Sequence, residues 1–138
     1  VDLDFSGLVV PVVRNAHRRR LPELAGDIAG VAERARRRQL GPDDLAGGTF
    51  TLTNAGRYGT LLTAPVINGD QVAIVSTDGV RPRPVAVADP EGGYVVAVHP
   101  VGNLCLSFDH RAYDGAYASA FLATVKATLE NRDWTAEL

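Results

Sequence analysis

The sequence predicts a mixed α/β domain, and three observations carry that expectation. Short β-branched runs recur along the chain, two stretches have helical apolar spacing, and their order is strand, helix, several strands, closing helix. With 138 residues, 46% hydrophobic and 22% charged, the chain has the composition of one globular domain rather than of a disordered segment.

Residues 8–13, mostly β-branched after Gly7, read as a buried strand, and residues 14–20 as a polar turn. Pro22 stands at the first position of a helix, and Leu21, Leu24, Ile28, Ala32 and Ala35 line one apolar stripe. Arg36-Arg37-Arg38 loads that helix's last turn with cations facing water, and Gly41-Pro42 ends it. Residues 47–54 alternate, Phe50 and Leu52 against Thr51 and Thr53, as a strand does. A glycine-marked loop follows. Residues 71–76 form another strand after the Asn68-Gly69-Asp70 turn. Pro82, Pro84, Pro90 and Gly92-Gly93 mark a connection, and residues 94–99 and 104–108 are two strands joined through residues 100–103. The last helix runs from about 114 to 131, with Phe121, Val125 and Leu129 on one face. The expected architecture is a mixed sheet with helices covering one face.

Charge and composition exclude several functions. Fourteen basic against sixteen acidic residues, a net charge of −2, create no global field for nucleic acid. The single cysteine, Cys105, excludes an internal disulfide and a cysteine-rich zinc site; it reads as a small buried residue. His17, His99 and His110 are too dispersed for a local metal cluster, so no metal is expected. No apolar run approaches the roughly 18 residues that span a bilayer, and no signal peptide is visible, so the expected setting is cytoplasmic and reduced, away from membranes. The GxGxxG, GxxxxGK[ST] and GxSxG patterns are absent.

The chemistry concentrates between residues 104 and 115. An apolar strand ends at Phe108, and Asp109, His110, Arg111 and Asp114 follow within six positions. Two readings of this stretch stand side by side. In one, Asp114 caps the closing helix and Asp109 pairs with Arg111 at the surface. In the other, His110 is a general base between strand and helix, oriented by a carboxylate.

Asp109-His110-Arg111-Ala112-Tyr113-Asp114-Gly115 resembles the DHRxxDG motif of the dihydrolipoamide acyltransferase components of 2-oxoacid dehydrogenase complexes. Three further segments, in family order, extend the likeness over nearly the whole chain. Residues 7–16 (GLVVPVVRNA) resemble the family's GLIVPVIRNA, residues 47–56 (GGTFTLTNAG) its GGTFTISNLG, and residues 65–75 its PIIN–PPQVAIL region.

The resemblance implies a chloramphenicol acetyltransferase-like fold and a homotrimer with active sites between subunits. It implies acyl transfer between coenzyme A and a thiol such as dihydrolipoamide, with no acyl-enzyme. Acyl-CoA is then a substrate, the lipoyl group is carried on another domain, and the partners are the 2-oxoacid dehydrogenase and dihydrolipoamide dehydrogenase subunits. By position, His110 is the general base, Thr53 the hydroxyl that stabilises the oxyanion, and Asp114 the acidic or amide group at the site. Residues 1–138 match the C-terminal part of the family's catalytic domain, with no lipoyl or peripheral-subunit-binding domain. A missing N-terminal half is therefore a further expected partner. Two departures stand out: Gly69-Asp70 replaces two prolines, and Thr53 replaces the commoner serine. A stand-alone acetyltransferase acylating a small hydroxyl acceptor is the alternative reading, and a non-catalytic trimeric scaffold a second one.

Overall fold

A computed structural model describes residues 1–4 and 6–137, and the chain divides into two compact units. One comprises Val1–Thr49 with Lys126–Leu138, the other Phe50–Val125. Among the described residues no helix is long and apolar enough to cross a membrane.

The first unit is built on helix α1 (Leu21–Arg36). Its N-cap is Arg20, whose backbone N–H donates to Glu23 Oε2 at 3.0 Å, and Pro22 takes the second helical position rather than the first. At the other end Arg34 forks onto both oxygens of Asp44, at 2.6 and 3.0 Å, which ties the helix to the 3-10 turn Pro42–Asp44. The expected strand at residues 8–13 does not form. Its ladder is a single isolated bridge, Asp2 to Leu8, and Leu8 is exposed. Pro11 removes one donor, and the N–H of Val12 goes to Asp44 O at 2.8 Å, so the run is held extended by a loop instead of a sheet.

The second unit holds the strands. The sequence pattern suggests one sheet, but they divide between two. β1 (Thr51–Asn54), β2 (Ala73–Thr77) and β5 (Leu104–Phe108) form a three-stranded sheet in the order β1-β2-β5, parallel on one side of β2 and antiparallel on the other. β2 is the centre: Ala73, Ile74, Val75 and Ser76 are all buried, the continuous run of a strand paired on both edges and covered on both faces. The Ser76 hydroxyl is satisfied by Thr63 O at 3.0 Å. Cys105, opposite Ser76 on β5, is half-buried rather than fully enclosed.

β3 (Arg81–Ala88) and β4 (Tyr94–Val101) form a separate antiparallel hairpin. Residues 82–88 are thus strand, not the connection that Pro82 and Pro84 suggest. Pro82 lies opposite Pro100 and Pro84 opposite Val98, positions of one parity in the ladder. A two-stranded ladder leaves every second N–H pointing outward, and the prolines occupy those places, so no internal hydrogen bond is lost. The hairpin turns through residues 89–93, where Gly92 and Gly93 have φ of 101° and 87°.

β2 runs out into Asp78, which is buried and collects the loop after β1. Its carboxylate accepts hydrogen bonds from the hydroxyls of Thr60 and Thr63, both at 2.7 Å, and from Thr63 N at 3.1 Å. Gly56 packs against the same corner: a Cβ there would sit 2.8 Å from Gly79 N. Helix α2 (Gly115–Asn131) closes the fold, with Phe121 placed 5.9 Å, ring to ring, from Phe50.

Candidate functional site

The site is assembled where β5 ends. Asp109 continues the ladder by one more bond, its N–H donating to Val72 O at 2.8 Å. The chain then turns sharply, with Ala112 N donating to Asp109 O at 2.9 Å. The Asp109 side chain locks that turn: Oδ1 accepts from Arg111 N at 2.9 Å, and the guanidinium contributes bonds to both oxygens at 2.6 to 3.1 Å. The Arg111 guanidinium, followed by the Arg111 backbone N–H, holds the Asp109 carboxyl down at about 2, against an ordinary 3.8.

His110 sits at the apex of this clamped turn and is exposed. No hydrogen bond reaches either imidazole nitrogen among the described residues, and the ring instead meets the tilted face of Phe108. Its centroid lies 5.3 Å from that of Phe108, which stacks on Tyr113 at 5.0 Å, and Tyr113 meets Tyr117 at 5.4 Å. The imidazole borders a cavity of about 530 Å³ whose other walls include Asp70, Gln71 and Phe108.

Asp114 is the N-cap of α2: its Oδ1 accepts from Tyr117 N at 2.9 Å. The capping and ion-pairing reading of this stretch is therefore realised, and it leaves His110 free at the turn's tip. The two readings of the sequence are compatible, because the clamp is what presents the histidine.

Thr53 lies elsewhere. It is half-buried on β1, opposite Ser76 of β2, whereas Phe108 of β5 is opposite Ala73. Three residues of strand separate those levels, about 10 Å, and β1 and β5 flank β2 on opposite sides, about 10 Å apart. His110 is two residues further out still. One chain does not bring Thr53 and His110 to the same reacting atom.

Gln71 joins the site without any sequence motif to mark it. Its Oε1 accepts from the hydroxyl of Thr51, a buried residue, at 2.6 Å, which fixes the carboxamide at the cavity wall. The aromatic ladder of Tyr113 and Tyr117 was equally hidden, though their four-residue spacing across a helix start is a signal that could have found it.

The family model for the 2-oxoacid dehydrogenases acyltransferase (catalytic domain) matches residues 1–135. The chain belongs to this family. It is 38% identical over 126 residues to the dihydrolipoyllysine-residue succinyltransferase component of the 2-oxoglutarate dehydrogenase complex of Staphylococcus aureus, covering 91% of this chain and 29% of that relative. The crystal structure of a probable dihydrolipoamide acetyltransferase from Listeria monocytogenes superposes with a TM-score of 0.83 at 36% identity, over 93% of this chain and 55% of the other. A dihydrolipoamide acetyltransferase from Azotobacter vinelandii superposes at 0.79 and 34% identity, over 91% and 49%. That structure addresses the catalytic role of a serine, a histidine and an asparagine, the last two four positions apart. The chain thus has the mixed α/β fold of these acyltransferase cores, while spanning less than a third of the curated relative and about half of each solved core.

Proposed function

We propose that this chain carries the base-bearing part of an acyltransferase active site that moves an acyl group between coenzyme A and the thiol of a dihydrolipoyl group held on another domain. The observation that carries this reading is the presentation of His110, its imidazole free of hydrogen bonds and in tilted ring contact with Phe108, on the wall of a cavity in a chain of the acyltransferase family. Membership of that family and the name of the succinyltransferase relative, a component of a dehydrogenase complex, support it over a stand-alone enzyme or a scaffold. They also support reading residues 1–138 as part of a catalytic domain that works with dehydrogenase partners.

In this mechanism His110 accepts the proton of the attacking thiol, which at a pKa near 8.5 is otherwise mostly un-ionised at neutral pH. The sulfur adds to the thioester carbonyl, the tetrahedral oxyanion is met by a hydroxyl, and the carbon–sulfur bond to the leaving thiolate breaks. His110 then returns its proton to that thiolate. The hydroxyl is Thr53, supplied by a second copy of the chain, since the sheet register separates the two residues within one copy. Asp114, four positions after His110 as the asparagine is after the histidine in the Azotobacter protein, orients the turn by capping α2.

The test is acetyl transfer from acetyl-CoA to dihydrolipoamide by the full-length protein, with His110→Ala and Thr53→Ala alongside. His110→Ala is expected to lose about 10²–10⁴-fold in turnover and Thr53→Ala about 10²-fold. Mixing the two variants after dissociation should restore part of the activity. Full turnover in His110→Ala sinks the assigned base, and no recovery in the mixture sinks the two-copy site.

A further inference from the structure

The cavity beside His110 has a one-sided charge. Its wall carries two carboxylates, Asp70 and Asp109, and one guanidinium, that of Arg111. Arg111 is already engaged, because its Nε and Nη2 donate to both oxygens of Asp109. Asp70 is exposed on the turn opened by Gly69, at φ 54°, and its side chain has no ion pair or hydrogen bond among the described residues. Besides His110, the proposed base, the remaining polar wall is Gln71, a neutral carboxamide held in place by Thr51. Among the described residues of one copy, before His110 takes up the thiol's proton, this wall therefore carries one unbalanced negative charge and no cation without a partner.

A thiol-to-thiol transfer brings three groups to such a cavity: two uncharged arms next to their sulfurs, and the acyl group between them. Only the acyl group has a variable charge there. A simple alkanoyl group is neutral, whereas the acyl group of a dicarboxylic acid ends in a carboxylate that needs a cation or water when enclosed. The relatives named above transfer succinyl and acetyl groups, so family membership leaves the choice open.

Resting on the reading of His110 as the base, we propose that this cavity selects uncharged acyl groups, with Asp70 as the specificity-determining residue that rejects a carboxylate-ended one. A carboxylate brought beside Asp70 meets a like charge without a compensating partner. Rejection of the wrong substrate through a repulsive group is a common route to specificity. Asp70 stands in the Gly69-Asp70 turn, one of the places where this chain departs from its family's pattern.

The experiment compares kcat/KM for acetyl-CoA and succinyl-CoA with dihydrolipoamide as acceptor, using the full-length protein, Asp70→Asn and Asp70→Lys, with circular dichroism to confirm that each variant is folded. The wild type is expected to favour acetyl-CoA. Asp70→Asn should raise the succinyl-to-acetyl ratio about tenfold, and Asp70→Lys should raise it further. A wild-type preference for succinyl-CoA, or a ratio unmoved in both folded variants, overturns the proposal. His110→Ala serves as the separate control: survival of both transfers in that variant overturns the base assignment itself, whatever the ratio does.

Discussion

Asp78 and Asp109 each fasten a loop at one end of the three-stranded sheet, at opposite ends, and they recruit different partners to do it. Asp78, 4% exposed, gathers two threonine hydroxyls and a backbone N–H, with no cation among the bonds to its carboxylate. Asp109 takes a guanidinium whose own side chain is 91% exposed. The first arrangement is a buried anion stabilised by neutral donors, and it holds only if every donor is present. The second is an ion pair in contact with water, weaker and adjustable. The difference shows how one chain fixes one loop firmly while leaving the loop that carries His110 exposed to solvent.

The largest expected effect comes from breaking the buried member of the pair. Asp78→Ala leaves Thr60, Thr63 and the Thr63 N–H without their acceptor, and thermal denaturation should show a Tm several degrees lower, more than for Asp109→Ala. An equal or smaller drop than in Asp109→Ala breaks the comparison. Acid titration of stability sharpens it next. Both carboxyls are held below their ordinary 3.8, Asp78 by the hydroxyls of Thr63 and then Thr60, Asp109 by Arg111 down to about 2. The unfolded chain therefore takes up these protons first, so both contributions are present above the ordinary value and are lost as the pH falls below it, that of Asp109 between 3.8 and about 2. Asp109→Asn should flatten that decline in part, and 1 M salt should weaken the contribution of Asp109 and leave that of Asp78 nearly intact. Salt weakening both equally, in urea melts at pH 4.5, contradicts the assignment.

The smallest effect concerns the cap beside the clamp. Asp114→Ala should cost about 1 kcal/mol of stability through α2, while Asp114→Asn, which keeps the capping oxygen, should be nearly neutral in stability and retain acyl transfer. A strong loss of transfer in Asp114→Asn with α2 intact would show that the negative charge itself takes part.

What the sequence made legible was local. Asp114 capping α2 follows from neighbours in the chain and appears as expected, whereas α1 ends at Arg36, with Arg38 in the left-handed conformation at φ 56°, short of the expected stop at Gly41-Pro42. The same local rules failed where partners lie far along the chain. Residues 8–13 have strand composition, but no strand among the described residues lies beside them to complete a ladder. Residues 82–88 have the prolines of a connection, yet become a strand because β4 pairs with them on the side where the prolines are harmless. At the site, His110 was visible through its motif. Gln71 and Asp70 reach its cavity only because β2 and β5 align Ala73 with Phe108, a register that no single segment encodes. Asp78 was invisible for the same reason: its donors sit 15 and 18 residues away.

The contact between Gly56 and Gly79 has an evolutionary reading. The obstacle to a side chain at position 56 is main chain, with Gly79 N at 2.8 Å and Asp78 C at 2.9 Å from any Cβ, so no rotamer change in a neighbour can relieve it. Arg57, immediately after it, is exposed, and no such backbone obstacle faces its side chain. A library randomised across residues 56 and 57 and selected for folding should therefore return glycine alone at the first position and a broad mixture at the second, a site where drift is forbidden by geometry rather than by chemistry.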